Sequence, residues 1–177
     1  KLYTNILRAF RNATKFRKVF SELGIQDKET VFVEHHLSHA ATAYWSSPWP
    51  LEEPVLLLTA DGFGDGLSST VNVGRDGEIE RVASSTWYDS LGMFYAEITA
   101  YLGMKRWDHE YKVMGLAPYG RPDSCVHLMR KIIAMHPKRP LEFRNTLRAY
   151  HPSSVQSKMR KMFAGRRFDN LAAGAQD

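Results

Sequence analysis

Residues 54–59, which read PVLLLT, constrain the fold of this chain more than any other stretch. A continuous apolar run of this length is typical of a strand that is buried on both faces of a sheet. It leads directly into residues 61–66, DGFGDG, where two Asp-Gly pairs predict a tight glycine-rich turn. Residues 67–73 alternate as a second strand, and the turn signal RDG at 75–77 predicts a hairpin that returns over 78–83. We therefore expect a sheet built partly from antiparallel ribbons.

Helical signals precede this sheet. Apolar residues three and four apart predict an amphipathic helix over residues 4–22 that ends at Gly24. Residues 30–33, TVFV, predict a short strand, and the alanine-rich residues 38–45 predict a second helix. The predicted strand therefore ends only a few residues before the second predicted helix begins.

Further helical signals follow the sheet. Ser90 is a predicted N-cap for a helix over residues 91–102. Residues 111–116 predict a short helix, and a proline at position 122 begins an amphipathic pattern that runs to about residue 135. From there the pattern weakens. The combination predicts a mixed α/β class with a partly antiparallel (α+β) sheet.

Composition narrows the class of protein. The hydrophobic fraction of 44% and charged fraction of 24% are those of a globular protein, and 177 residues suffice for one domain with a sizeable core. The single cysteine, Cys125, excludes an internal disulfide and a cysteine-type structural zinc site. No apolar run is long enough for a membrane span, and no leader is visible. We expect a cytoplasmic protein without a membrane partner.

The net charge of +5 is unevenly distributed along the chain. Residues 121–168 carry 12 of the 24 Lys and Arg but only two acids. Such a segment can attract nucleic acid, a phosphate-bearing substrate or an acidic domain, or it can be a solvated surface. Aromatic residues do not alternate with these charges as they would on a stacking platform, so a nucleic-acid partner is not expected.

Histidines are concentrated in residues 34–41, EHHLSHAA, which hold three of the seven in the chain. His35 and His39 are four apart, so on a helix both imidazoles share one face and could reach a single ion. His36 points away from His35 and is better placed to contact a substrate or one of the metal ligands. A carboxylate is the expected third ligand, and this donor set suits Fe(II), Zn or Mn. The alternative is that these are core or capping histidines.

The glycine-rich turn is the second candidate site. Gly62, Gly64 and Gly66 allow the backbone to approach a ligand closely, and successive amides in such a turn can form an anion nest. Asp61 and Asp65 could hold a divalent cation, orient a substrate hydroxyl or act as a base. The alternative is an ordinary tight turn.

Residues 108–120, DHEYKVMGLAPYG, form the third candidate. Lys112 could pair with a phosphate, and Gly115 would allow close approach of a nucleotide. An ordinary packed helix with an exposed Lys112 explains the same residues equally well. The chain contains neither a Walker-type loop nor a dinucleotide fingerprint.

Three of these stretches, residues 34–41, 61–66 and 110–120, resemble the O-carbamoyltransferases of nodulation and antibiotic biosynthesis. They occur in the family's order, and residues 171–176 are similar to its next helix. The resemblance implies an actin-like ATPase architecture with a ribonuclease-H-like fold, related to the proteins that install threonylcarbamoyl groups on tRNA. It also implies that a carbamoyl group passes from carbamoyl phosphate and ATP, through carbamoyl-adenylate, to the hydroxyl of a small-molecule acceptor.

The resemblance also implies roles for individual residues. His35 and His39 would be iron ligands, and Asp61 with the following glycines would lie at the nucleotide and acceptor. We expect an aspartate, Asp61 first and Asp65 second, to accept the proton of the acceptor hydroxyl.

The resemblance further implies that residues 1–177 are the central part of a transfer domain. The family's first strand is then expected before this stretch. The family's third metal ligand, a later aspartate, and an adenylate-forming domain are expected after it, so the isolated fragment is expected to be inactive. The competing interpretations are a metal-dependent ATPase or kinase of the same superfamily and a non-catalytic nucleotide- or nucleic-acid-binding module.

Overall fold

The computed structural model describes residues 15–25, 29, 31–121, 123 and 125–163, and the chain divides into two compact units, 1–33 and 34–177. Each unit is described by itself.

In the first unit, residues 15–22 are helical (α1). The helix ends at Gly24 with φ +68°, as predicted. Residues 31–33 do not form the predicted strand; their side chains are exposed, and no described strand of this unit lies beside them to pair with their backbone. The predicted helical residues 4–14 and Thr30 lie outside the described residues.

The second unit carries a three-stranded antiparallel sheet in the order β1 (Val55–Gly64), β2 (Leu67–Arg75) and β3 (Glu78–Thr86). The strands are joined by two-residue turns, Asp65–Gly66 and Asp76–Gly77. All four turn residues have positive φ, 50° and 88° in the first turn and 52° and 79° in the second. That is the type I′ pattern, whose twist matches that of a hairpin. The mixed α/β class and the predicted antiparallel ribbons are therefore confirmed.

Strand β1 differs from its prediction in burial. Leu57 and Thr59 are buried, whereas the alternate residues Leu56 and Leu58 are 63% and 66% exposed. The prediction of a strand buried on both faces is wrong for the described residues, because within the second unit none of them covers the face that carries Leu56 and Leu58.

The glycine-rich turn is shorter than predicted. Residues 61–64 continue β1, although the pairing with β2 is irregular between Ala60 and Gly64. The chain reverses only at Asp65–Gly66. The predicted turn over residues 61–66 is therefore wrong in its first four residues, because the bulged strand extends through them.

The helices around this sheet largely follow their sequence signals. Helix α2 (His35–Trp45) begins three residues earlier than predicted, because the Glu34 side chain accepts hydrogen bonds from the second and third amides of the helix. Helix α3 (Leu91–Tyr101) has the predicted N-cap, Ser90, whose hydroxyl accepts the amide of Met93. Helix α4 (Glu110–Leu116) is also confirmed.

The C-terminal part was poorly predicted. Only a short helix, α5 (Val126–Met129), replaces the long helix expected to reach residue 135. It is followed by a two-stranded antiparallel sheet of β4 (Ile133–His136) and β5 (Arg139–Asn145), and then by α6 (Pro152–Met162). Apolar residues of this spacing are compatible with either a helix or a strand, and pairing with β5 decides for a strand.

Two apolar clusters lie inside the second unit. One joins α2 to the three-stranded sheet through Ala40, Tyr44 and Leu57. The other lies around α6 and is formed by Ile132, Ala149, Val155, Met159 and Phe163. Among the described helices, none combines the length and the apolar character needed to cross a bilayer.

Candidate metal centre

Helix α2 and strand β1 together position the histidines. His36, Ala40 and Tyr44 are four residues apart along α2 and form the buried stripe that faces the sheet. His35 and His39 form the neighbouring stripe, at the edge of this contact. The predicted sharing of one helix face by His35 and His39 is therefore confirmed.

The imidazoles of the two histidines converge on Asp61. The Nε2 atoms of His35 and His39 are 3.2 Å apart, and they lie 2.7 and 3.6 Å from Oδ2 of Asp61. Nitrogen ligands about 2.0–2.1 Å from a tetrahedral ion are about 3.3 Å apart, so two of the three separations match such an ion and the third is a hydrogen-bond contact. Within the described part of the chain, these three residues are the one group of three that could hold a metal ion.

The electrostatics of Asp61 suit a cation. The hydrogen bond with His35, followed by one from the backbone amide of Gly62, holds the pKa of the Asp61 carboxyl below its ordinary value, against the smaller opposing effect of burial. The carboxylate therefore stays ionised. An ionised carboxylate beside two imidazoles is a donor set for a divalent transition metal.

The glycines of the predicted nest have different surroundings. A Cβ at Gly64 would lie 2.0 Å from Cγ of His35, so the ring can approach the strand only because residue 64 has no side chain. A Cβ at Gly62 would meet nothing nearer than an atom of Trp107 at 3.6 Å, and Gly66 is the second turn residue with φ +88°. Gly64 therefore makes room for a candidate ligand of the ion.

Two carboxylates hold the start of α2. Asp65 Oδ2 accepts the backbone amide of His35 at 2.9 Å, and Glu34 accepts the next two helix amides and the guanidinium of Arg81. Burial alone would raise the pKa of Glu34, but the bonds from Arg81 and from the helix amides outweigh it and hold the pKa below its ordinary value. The turn aspartate Asp65 is thus in direct contact with the first residue of α2.

The remaining predicted site residues have other surroundings. His36 is fully buried, with Nδ1 2.8 Å from the hydroxyl of Thr59. Lys112 is exposed, with its ammonium 5.8 Å from the ring centre of Tyr111, and Gly115 borders open space. Their proposed ligand contacts stay predictions.

Asp61 also lines an open pocket of about 480 Å³. It is walled by the end of β1, the start of α3 and the loop before α4, and its larger or charged lining residues are Asp61, Leu91, Tyr95, Trp107 and Glu110. Lys112, Gly115 and Asp65 do not line it. A ligand in this pocket would contact Asp61, whereas His35 and His39 do not line it.

Trp107 was missed by the sequence analysis. Its backbone has φ +66°, a conformation that is rare for a bulky residue, and its side chain is 61% exposed. The amide of Trp107 donates to Oε1 of Glu110 at 2.7 Å, which helps to hold this conformation. The available signal was a tryptophan close to Glu110–Gly120, but the sequence reveals neither its exposure nor its positive φ.

Comparison with known proteins shows the family of the chain. Residues 5–177 match the family model described as Carbamoyltransferase N-terminus. Nodulation protein NolNO of Sinorhizobium fredii is 50% identical over 91 residues, which are 51% of this chain and 13% of that protein. Nodulation protein NolO of Bradyrhizobium diazoefficiens is 45% identical over 91 residues, 51% of this chain and 16% of that protein.

An uncharacterized protein of Synechocystis is 36% identical over 113 residues, 62% of this chain and 18% of its own length. The match with this chain thus covers less than a fifth of each of these three relatives. The family match, in contrast, extends over nearly all of the chain and includes all three candidate stretches. The chain belongs to the carbamoyltransferase family and corresponds to the N-terminal part of its members.

Proposed function

We propose that this chain is part of an enzyme that transfers a carbamoyl group to the hydroxyl of a small-molecule acceptor, at a metal ion held by His35, His39 and Asp61. The observation that carries the proposal is the convergence of three ligand atoms within 4.8 Å in a chain of the carbamoyltransferase family. Structural histidines would instead be expected to bond to the backbone.

The donor set fits Fe(II), with Zn or Mn as alternatives. A divalent ion at this position would act as a Lewis acid toward the carbamoyl donor. The protein's own contribution is to hold the two imidazoles and one carboxylate oxygen in place. It does so with the caps at the start of α2 and with the space left by Gly64. A further aspartate from a later part of the protein would complete the ligand set.

The donor in this proposal is carbamoyl-adenylate, made from carbamoyl phosphate and ATP by a C-terminal domain of the longer protein. Support comes from the resemblance of residues 34–41, 61–66 and 110–120 to the O-carbamoyltransferases. The same resemblance supports an actin-like, ribonuclease-H-like architecture of which residues 1–177 form the central part. Nucleotide contacts from the glycines of 62–66 and from Lys112 and Gly115 belong to this part of the proposal.

The acceptor is proposed to occupy the pocket beside Asp61. Its proton would pass to a carboxylate, and Asp61 is the better candidate than Asp65, because Asp61 lines the pocket and Asp65 accepts the amide of His35. The lowered pKa keeps Asp61 ready to accept a proton while reducing its strength as a base. Trp107 provides an exposed aromatic wall for the acceptor.

The test of the transfer reaction uses the full-length enzyme with carbamoyl phosphate labelled in its carbamoyl carbon, ATP and a panel of hydroxyl compounds. We expect the label in an O-carbamoyl product. The His35→Ala variant should lose both the bound ion, measured by elemental analysis, and at least about 100-fold of the transfer rate. His127→Ala removes an exposed histidine far along the chain and is the control. ATP hydrolysis without label transfer would identify an ATPase or kinase instead, and unchanged metal content in His35→Ala would refute the metal centre.

The acceptor pocket has its own test in the Trp107→Gly variant. Glycine relieves the positive φ, and little buried surface is lost, so stability should be unchanged or slightly higher. The KM for the hydroxyl compound that receives the label should rise at least about tenfold. Arg148→Gly relieves a similar φ of +50° at an exposed residue outside the pocket and should leave KM unchanged. Equal KM values for both variants would place the acceptor elsewhere.

A further inference from the structure

The contact between α2 and the sheet contains a buried polar layer. In β2 the usual pattern is inverted: Thr70 and Asn72 are 2% and 1% exposed, whereas Val71 and Val73 are partly exposed. Thr70 lies opposite Thr59 of β1 in the sheet register, and both face α2. Burying polar groups costs free energy unless they are hydrogen-bonded, so such an inversion needs a reason.

These side chains form one continuous chain of hydrogen bonds. The Asn72 amide group donates to the carbonyl of Leu57 at 3.3 Å and to Oγ1 of Thr70 at 2.8 Å. Oγ1 of Thr70 lies 2.7 Å from Oγ1 of Thr59, which also accepts the backbone amide of Thr70 at 3.0 Å. Oγ1 of Thr59 lies 2.8 Å from Nδ1 of His36. The chain therefore runs from the centre of the sheet to the helix.

Counting donors and acceptors gives this chain a direction. The carbonyl of Leu57 can only accept, so the amide nitrogen of Asn72 must face it, and the same nitrogen then donates to Thr70. Among the described residues, the one acceptor in contact with the Thr70 hydroxyl is Oγ1 of Thr59. Thr59 thus accepts from the amide and the hydroxyl of Thr70, and its own proton goes to Nδ1 of His36. The opposite direction would leave two buried groups unmet, the Thr70 hydroxyl proton and the bare Nε2 of His36, whereas this direction leaves one, the proton on Nε2.

This direction fixes the tautomer of His36. If Nδ1 accepts, the neutral ring carries its proton on Nε2. Nε2 is buried, and among the described residues none accepts a hydrogen bond from it. The ring is therefore held by the Thr59 bond and by packing alone.

The position of this bond links it to the metal centre. Thr59 precedes Asp61 by two residues on the same face of β1, and His36 follows His35 directly on α2. The Thr59–His36 bond therefore couples the strand that carries the carboxylate to the helix that carries both imidazoles.

We propose that Thr59, Thr70 and Asn72 are positioning residues that hold His36 as the Nε2–H tautomer and thereby set the distance from His35 and His39 to Asp61. The inference rests on the proposed metal centre. Under this proposal, His36 acts as a buried residue that positions the metal ligands, which is one of the two functional roles predicted for it.

The first test measures metal affinity in the full-length protein by titration with Zn²⁺ and with Fe²⁺ under anaerobic conditions. Thr59→Val keeps the shape but removes the hydroxyl, and we expect affinity to fall about 10–100-fold, as for other residues that orient metal ligands. Thr59→Ser keeps the hydroxyl and should restore affinity to within about threefold. Thr99→Val is the matched control, since Thr99 is fully buried and its hydroxyl donates only within its own helix, to the carbonyl of Tyr95. Equal affinities for Thr59→Val and Thr99→Val would overturn the proposal.

The second test needs no variant at position 59. In ¹⁵N spectra of the histidine-labelled full-length protein, assigned with His36→Gln, we expect an unprotonated Nδ1 and a protonated Nε2 for His36 without added metal. The reverse tautomer would contradict the proposed direction of the hydrogen-bond chain. If the wild-type protein bound no metal yet His36 showed the expected tautomer, the proposed metal centre would be refuted, whereas the direction of the hydrogen-bond chain would be supported. If metal bound normally and the tautomer were reversed, only the proposed hydrogen-bond chain would be refuted.

Discussion

The two ends of helix α2 contact the same sheet through the same local pattern but use it differently. Each end lies beside an Asp-Gly turn of type I′, Asp65–Gly66 at the first end and Asp76–Gly77 at the last. At each end a strand glycine also leaves space for one ring of the helix. The turn motif by itself therefore does not distinguish a site from a packing contact.

The C-terminal end of α2 is a packing contact. Tyr44 is 1% exposed, and a Cβ at Gly74 would lie 2.8 Å from its ring. Its hydroxyl donates to the carbonyl of Leu51 at 2.8 Å and accepts the amide of Gly77 at 3.1 Å. The polar atom of this side chain is thus satisfied by backbone groups, as expected for a structural residue.

At the N-terminal end of α2, the Nε2 atom of the His35 ring is not satisfied by backbone groups. The His35 ring fits against Gly64, yet 38% of its side chain is exposed, and its Nε2 faces His39 and Asp61 rather than the backbone. Lone pairs that converge at an exposed edge are available to a ligand. The difference between a buried, satisfied ring and an exposed, convergent one separates the candidate site from its structural counterpart.

The largest expected effect is the loss of metal affinity in the Gly64→Ala variant. The new methyl group would overlap the His35 ring at 2.0 Å, and Cβ of His35 at 2.6 Å, so the imidazole must leave its place. We expect at least about a 100-fold loss of metal affinity in titrations of the full-length protein, at the upper end of the effects seen for residues that orient ligands.

Gly62→Ala is the matched control for this experiment. It places a methyl group two residues earlier on the same strand, where the nearest atom is a side-chain carbon of Trp107 at 3.6 Å. Its metal affinity should stay within about threefold of the parent protein. If Gly64→Ala bound metal as well as Gly62→Ala, His35 would not be a ligand in its observed position.

Gly74→Ala tests the opposite end. Its methyl group would meet the Tyr44 ring at 2.8 Å, and this ring is fully enclosed and cannot move aside. We expect a loss of about 1–3 kcal/mol in the free energy of unfolding, as for other overpacked cores, measured by urea denaturation. Metal affinity in the folded protein should be nearly unchanged. A large loss of metal affinity would mean that the two ends are not independent.

Sequence predicted the local elements of this region well. Strands β2 and β3, the hairpin turn at Asp76–Gly77 and the shared face of His35 and His39 follow from periodicity and turn chemistry, which act over a few residues. The sequence also identified Asp61 and the histidines as separate candidates. It did not predict their direct contact, because that depends on how α2 lies against β1.

Other features required the folded chain. The inverted burial of Thr70 and Asn72 cannot be read from an alternating pattern, which would place Val71 and Val73 inside. Strand β4 was mistaken for a helix because only its pairing with β5 selects the strand. In both cases long-range contacts override the local signal.

The smallest expected effect is a difference in the free energy of unfolding between variants of the two turn aspartates. Asp65 and Asp76 have nearly the same φ, 50° and 52°, so replacing either with alanine imposes the same backbone cost. Only Asp65 also caps α2, through the amide of His35. Asp65→Ala should therefore lower the free energy of unfolding by about 1 kcal/mol more than Asp76→Ala, the typical contribution of a helix cap. Equal losses in urea denaturation would show that the cap adds nothing, and the start of α2 would then be held by Glu34 alone.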